Sequence, residues 1–204
     1  EWGGVQDHIR ATIDGRELLT EKAVDKQGNE KDLLDNIERR QMWPSPAIRQ
    51  CTSDFKTTPL MKLMRRVMKE QGATRAINCM GLRAEESANR AKKAPWKLNA
   101  KMSVAGRTVF DCLPILSMLE QGVYGAIAQA GQEVHWAYKA GMSRLSCCFC
   151  IMASQADLQT AAKLRPELAQ QYVDLEARIG HTFTAAKSLA EIIGVQPTAG
   201  LVAA

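Results

Sequence analysis

The sequence predicts an α/β fold in which a parallel sheet is flanked by helices and followed by a helical C-terminal part. Three observations point there. Two short apolar segments, Thr74 to Met80 and Thr108 to Leu113, read as buried strands. Each is followed by a glycine- or proline-marked turn and then a helical pattern, the order of a sheet with crossover helices. The stretch from Ala156 to Ile179 carries apolar residues at helical spacing, interrupted only by Pro166.

The elements follow in order. Residues 1 to 15 read as a short helix ending near Gly15, and residues 16 to 31 as a polar loop around Gly28. Asp32 to Arg40 reads as a helix with Leu33, Leu34 and Ile37 inward. Trp43-Pro44-Ser45-Pro46 stops it, because proline lacks an N–H and restricts the residue before it. The loop that follows is expected to carry Cys51. Pro59 is a fit first residue for a helix, and Leu60, Leu63, Met64, Val67 and Met68 give that helix one apolar face before Gly72. After the first strand, Gly81 opens a polar loop and a helix from Glu85 to Lys93. Pro114 ends the second strand. Met118 to Ala130 reads as a helix, and His135 to Gly141 as a further helical turn.

The bulk numbers bound the function. The chain has 204 residues, enough for one ordinary domain, and a formal charge of +5 with 46% hydrophobic and 24% charged residues. Basic residues come singly or in pairs, so no nucleic-acid-binding tail is read; the surplus suits a phosphate-bearing ligand. No run of eighteen apolar residues marks a membrane span, and no signal peptide is seen. The expected location is cytoplasmic, a reducing compartment in which the six cysteines suggest metal or redox chemistry more than disulfides.

Four groups of residues carry candidate chemistry. Cys147 and Cys150 form a C-x-x-C with Cys148 between them, a spacing that suits a metal, a cluster or a redox pair. Cys51 is the natural distant partner, though the same residues also suit a core of small apolar side chains. Cys79 and Cys112 lie within the two strands and read as core. Gly81-Leu82-Arg83 through Arg90 follows a strand and opens a helix. Ligands bind there in doubly wound sheets, and an arginine fork grips phosphate; an ordinary solvated turn fits equally. Lys56 sits just ahead of the expected helix start at Pro59, where anions are favoured, although a lone lysine is commonly just solvated. His135, with Tyr138 and Arg144 nearby, could orient a ligand or serve the fold alone.

In this order the motifs resemble those of the phosphoadenosine-phosphosulfate (PAPS) reductase and adenylylsulfate reductase family. Cys51-Thr52-Ser53-Asp54-Phe55-Lys56-Thr57-Thr58-Pro59-Leu60 is similar to its C-C-x-x-R-K-x-x-P-L segment, and Gly81-Leu82-Arg83 through Arg90 to G-L-R-R-x-x-S-x-x-R. Leu113-Pro114-Ile115-Leu116 with Val123 to Ile127 resembles P-L-x-x-W-x-x-x-x-V-W-x-x-I. Tyr138-Lys139-Ala140-Gly141 through Cys150 resembles Y-x-x-G followed by G-C-x-x-C. The resemblance implies an adenine-nucleotide α-hydrolase-like, Rossmann-like fold. It implies adenylyl sulfate, PAPS or ATP as ligand for sulfur or adenylyl transfer, with Lys56, Arg83, Arg90, Arg144 and His135 as nucleotide- or anion-binding candidates. It also implies a four-iron four-sulfur cluster, or zinc in its place, on Cys51, Cys147 and Cys150, with Cys148 as the candidate fourth ligand.

The departures are specific. Thr52 replaces the second cysteine of the first pair and Met118 the tryptophan of the third motif. The family's S-G-G-K-D-S phosphate loop and its catalytic E-C-G-L-H are not in the sequence. The resulting expectation is one domain over residues 1–194, incomplete at its N-terminus, with a frayed tail at 195–204. The pattern is closer to phage-borne and defence-associated relatives. A non-catalytic nucleotide- or metal-binding module of a DNA-modification or defence complex is therefore the alternative, with a homo-oligomer or a protein partner as further candidates.

Overall fold

A computed structural model describes residues 8–13 and 16–200, with side chains from residue 22 onward. In chain order the elements are β1 (His8–Ile13), β2 (Arg16–Lys22), α1 (Leu33–Arg40), α2 (Gln50–Thr52), a π-helical turn (Ser53–Thr57) and α3 (Thr58–Glu70). Then come β3 (Arg75–Cys79), a 3-10 turn (Ala84–Glu86), α4 (Ala88–Ala91), β4 (Trp96–Leu98), β5 (Thr108–Cys112) and α5 (Glu120–Gln129). The last are α6 (Trp136–Lys139), α7 (Gln155–Leu164), α8 (Pro166–Ile179) and α9 (Leu189–Ile193). The chain forms two compact units, one from residues 1–63 with 135–204 and the other from 64–134.

The first unit is mainly helical. Asp32 caps α1: its Oδ1 accepts the Asp35 N–H at 2.8 Å, and the Asp35 carboxylate accepts the Asp32 N–H at 2.9 Å. These bonds occupy donors that a helix start leaves open. The apolar face of α1, Leu33 and Ile37, enters a core built with Trp43, Phe55, Phe149, Leu158, Tyr172, Leu175 and Phe183. Trp43 is its centre. Its ring stacks on Tyr172 at 5.5 Å and meets Phe183 edge-on at 5.0 Å, while its Nε1 donates to the His181 carbonyl at 2.9 Å. Burying the large ring drives the packing, and satisfying its single N–H removes the cost of doing so. Arg165 separates α7 from α8, which opens on Pro166, where the sequence predicts the break, and Gly180, at φ 62°, closes α8 in the left-handed conformation.

Two expectations for the N-terminal region are corrected. Residues 8–13 form a strand rather than a helix, and 16–22 form its antiparallel partner rather than a loop. The remainder of the expected helix, residues 1–7 and 14–15, lies outside the described residues. The two strands pair with each other as a hairpin, Ile13 opposite Arg16, and that pairing outweighs the local preference of Glu, Leu and Lys for helix.

The expected loop carrying Cys51 is also helical. Gln50 to Glu70 is one nearly unbroken run, and the turn at 53–57 widens so that the Thr58 N–H donates to the Ser53 carbonyl. Pro59 has no N–H, so a regular helix there would leave the Phe55 carbonyl without its donor. The wide turn is the usual local adjustment. Pro59 therefore lies inside the run, and Lys56 lies one turn into it.

The second unit holds a three-stranded sheet in the order β3-β5-β4. β3 and β5 are parallel, with Arg75 opposite Thr108 and Cys79 opposite Cys112. β4, which the sequence did not predict, pairs antiparallel with β5, so the sheet is mixed rather than wholly parallel. On its inner face Val109 is fully buried, and Asp111 accepts from Asn78 at 2.9 Å and from Asn99 at 3.1 Å. The helix predicted after Gly81 is shorter than expected: a 3-10 turn followed by α4, which Ser87 caps by accepting the Arg90 N–H.

Candidate functional site

The four sequence motifs gather in two pairs, one pair in each unit. In the second unit the loops that leave the two parallel strands lie side by side. The Met80 N–H donates to the Cys112 carbonyl at 2.9 Å, and the Ala84 N–H donates to the Leu116 carbonyl at 2.7 Å. A Cβ on Gly81 would stand 3.7 Å from Ile115 Cδ1. The Gly81 motif and the Leu113-Pro114-Ile115-Leu116 motif thus make one surface at the carboxyl end of the parallel pair, where open α/β sheets bind ligands.

Both arginines of this surface are engaged. Arg83 Nε stands 3.0 Å from Glu85 Oε1, at an angle that makes no hydrogen bond and leaves that N–H without a partner. Arg90 pairs with Glu86 one helical turn back, and the same carboxylate accepts the Arg83 backbone N–H at 2.9 Å. Partial burial pushes the Glu86 carboxyl up, but the Arg83 N–H and the Arg90 guanidinium outweigh it and hold it below the ordinary glutamate value. It is therefore ionised at neutral pH. An incoming anion meets two guanidinium groups whose charge two carboxylates already balance. The Glu86–Arg90 spacing makes that partner legible in the sequence; the reach of Glu85 to Arg83 is not.

In the first unit Cys51, Cys147 and Cys150 sit within electrostatic reach of one another. Burial pushes the Cys51 thiol up, the neighbouring Lys56 ammonium opposes that, and Cys147 and Cys150 add to it. Cys148 is a core residue, buried in the cluster with Phe149 and Leu158. Burial pushes its thiol up to about 11, which keeps the free thiol protonated at neutral pH. Phe55, where the family motif has an arginine, is fully buried as well.

Among the described residues, no three His, Cys, Asp or Glu side chains converge on a point that a metal ion could occupy. With Thr52 in place of a fourth thiol, and Cys148 in the core, the residues do not fit a resident cluster or zinc.

Two further candidates have local structural duties. His135 caps α6: its Nδ1 accepts the Ala137 N–H at 3.2 Å, and its ring stacks on Trp136 at 5.6 Å. Arg144 donates from Nη1 to the Met152 carbonyl at 3.3 Å. Its charge also acts on Asp157, a buried carboxylate that the sequence reading missed. Asp157 accepts the Ser143 N–H at 2.7 Å and the Ser143 hydroxyl at 2.6 Å. Burial pushes this carboxyl up, but the Ser143 and Ser154 bonds and the Arg144 charge win, and it lies below the ordinary aspartate range. Asp157 thereby ties the loop ahead of the C-x-x-C to the start of α7. Glu176 was missed too. Its carboxylate accepts the Phe183, Leu189 and Ala190 N–H groups and anchors the loop leading to α9. Glu176 carried no sequence signal, because its partners are seven to fourteen residues away; for Asp157 only the bond with Ser154, three residues back, is local, and Ser143 is fourteen away.

A groove of about 450 Å³ lies along α7 and α9, lined by Gln159, Lys163, Glu191 and Val195 among others and by none of the candidate residues. No helix among the described residues is long and apolar enough to cross a membrane.

Comparison with known families agrees with this layout. The family described as the phosphoadenosine phosphosulfate reductase domain matches residues 6–153, and the chain belongs to that family. The matched span contains all four motifs and both post-strand loops. No curated protein matches the chain.

Proposed function

We propose that this chain binds an adenine nucleotide (adenylyl sulfate, PAPS or ATP) for sulfur or adenylyl transfer. The observation that supports this is the joining of the Gly81 and Leu113 loops at the carboxyl ends of β3 and β5, in a chain of the PAPS reductase family. Gly81 leaves the backbone open to close approach. Arg83 and Arg90 supply planar donors to the phosphate or sulfate. Binding exchanges Glu85 and Glu86 for the anion, so those carboxylates set a threshold that only a multiply charged ligand passes. Lys56, Arg144 and His135 are further candidate anion contacts, carried by the first unit.

Calorimetry with the three nucleotides tests the reading. Arg83→Ala is expected to weaken binding by about 1.5–3 kcal/mol, the worth of a charge-assisted hydrogen bond. Glu85→Gln is expected to tighten binding about two- to fivefold, as loss of a partly exposed ion pair allows. Unchanged affinity in both variants would refute the assignment.

The alternative is a non-catalytic nucleotide- or metal-binding module of a DNA-modification or defence complex. The charge balance of the arginine loop favours it. A nucleotide that binds yet releases no sulfite with a dithiol donor would select this alternative.

A further inference from the structure

The sequence reading assigned Cys79 and Cys112 to the core, but they lie at the ends of adjacent parallel strands as direct register partners. Cys79 is exposed and Cys112 half-buried. The two thiols are within hydrogen-bonding reach of each other. Adjacent strands lie about 4.8 Å apart, inside the roughly 4.4–6.8 Å Cα window that a disulfide spans. Their sheet face is open: Ile77 is 55% exposed and Trp96, the partner of Cys112 on the far strand, 48%. Cys148 is sealed in the core of the first unit, and Cys51 is half-buried in a helix.

We propose that Cys79 and Cys112 form a redox-active dithiol that cycles between two thiols and an intramolecular disulfide, exchanging electrons with a small disulfide of the glutathione class. In the oxidising direction the exposed Cys79, as thiolate, attacks one sulfur of the small disulfide. That S–S bond breaks, one thiolate leaves, and Cys79 is held in a mixed disulfide. Cys112 releases its proton to solvent and attacks Cys79 Sγ. The second small thiolate leaves as the Cys79–Cys112 bond closes. Two electrons pass from the protein thiols to the small disulfide, which departs as two thiols; excess small thiol reverses each step. The order follows from access, since only Cys79 is open to a bulky partner. Partial burial and the adjacent Cys79 push the Cys112 thiol up, which lowers its thiolate fraction and is consistent with Cys79 making the first attack.

The test uses the full chain equilibrated in buffers of varied glutathione to glutathione-disulfide ratio, quenched by alkylation, digested and mapped by mass spectrometry. A Cys79–Cys112 linked peptide is expected to rise and fall reversibly with the ratio. Cys112→Ser is expected to trap a glutathione adduct on Cys79. Cys79→Ser is expected to slow adduct formation at Cys112 by about tenfold, because access governs the first attack. Independent adducts on both cysteines without a link, or links from either to Cys51, Cys147 or Cys150, would overturn the proposal. The wild-type map decides the matter alone if a variant fails to fold.

Discussion

The two units of the chain are stabilised by different means. The first is organised around a ring of aromatic side chains, Trp43, Phe149, Tyr172 and Phe183, reinforced by two buried carboxylates that tie loops to helices. The second rests on a three-stranded sheet with one face open, where Ile77, Trp96 and Leu98 are each about half exposed. The first can lose little without losing its fold. The second leaves one face of its sheet, with Cys79 on it, open to solvent.

Substitutions can break that contrast. Trp43→Ala is expected to cost the most, about 3–5 kcal/mol, because it empties the centre of a closed core; a denaturant titration followed by circular dichroism measures it. Trp96→Ala should cost far less, about 1 kcal/mol, since half of the ring already meets solvent and its main contact is the stack on Phe110 at 5.1 Å. Equal losses would erase the distinction between the units.

Asp157→Ala comes next, at about 3 kcal/mol for two charge-assisted bonds lost from a residue only 2% exposed. Its pH dependence has a definite sign. The folded state holds the carboxyl below its ordinary value of 3.8, so its contribution is present above that value. It is lost as the pH falls through the lower, folded value. Asp157→Asn should therefore flatten the acid limb of the stability curve below about pH 4. An unchanged limb would show that Asp157 is not the group responsible.

The smallest expected signal is metal. Anaerobically purified protein should hold far less iron and sulfide than the about four of each that a four-iron cluster requires. A full complement that disappears in Cys51→Ser would show that the thiols rearrange to close a site.

What the sequence revealed, and what it hid, follows from the range of the interactions. α1, α3, α7 and α8 are written in local terms: apolar spacing, Asp32 as a cap, Pro166 as a break. The β3–turn and β5–turn units were legible as apolar runs ending at Gly81 and Pro114. β4, Trp96–Leu98, was not, because it becomes a strand only through β5; β1 and β2 were missed although they pair locally, Ile13 opposite Arg16, and Asp14-Gly15 between them was the signal available in the sequence. The candidate site divides in the same way. Arg83 and Arg90 stood out by motif, whereas Glu85 as the partner of Arg83, and Cys79 as the partner of Cys112, needed geometry. The burial of Cys148 in the core beside the C-x-x-C is likewise not written in the local sequence.

The wide turn at Ser53–Thr57 has a consequence for the alignment of this chain with others. It holds one residue more than a regular helix would use, and one residue corresponds to about 100° of rotation about the axis. The turn is a phase shifter between the Cys51 side of the helical run and the leucine face of α3. Deleting a single residue there would force the turn toward a regular helix, in which Pro59 cannot supply the bond the wide turn now does without, and would swing Cys51 and Phe55 by about 100° away from their present neighbours. A relative with one residue fewer between its first cysteine and its proline would thus show Cys51's equivalent to a different set of partners, with nothing else in its sequence changed.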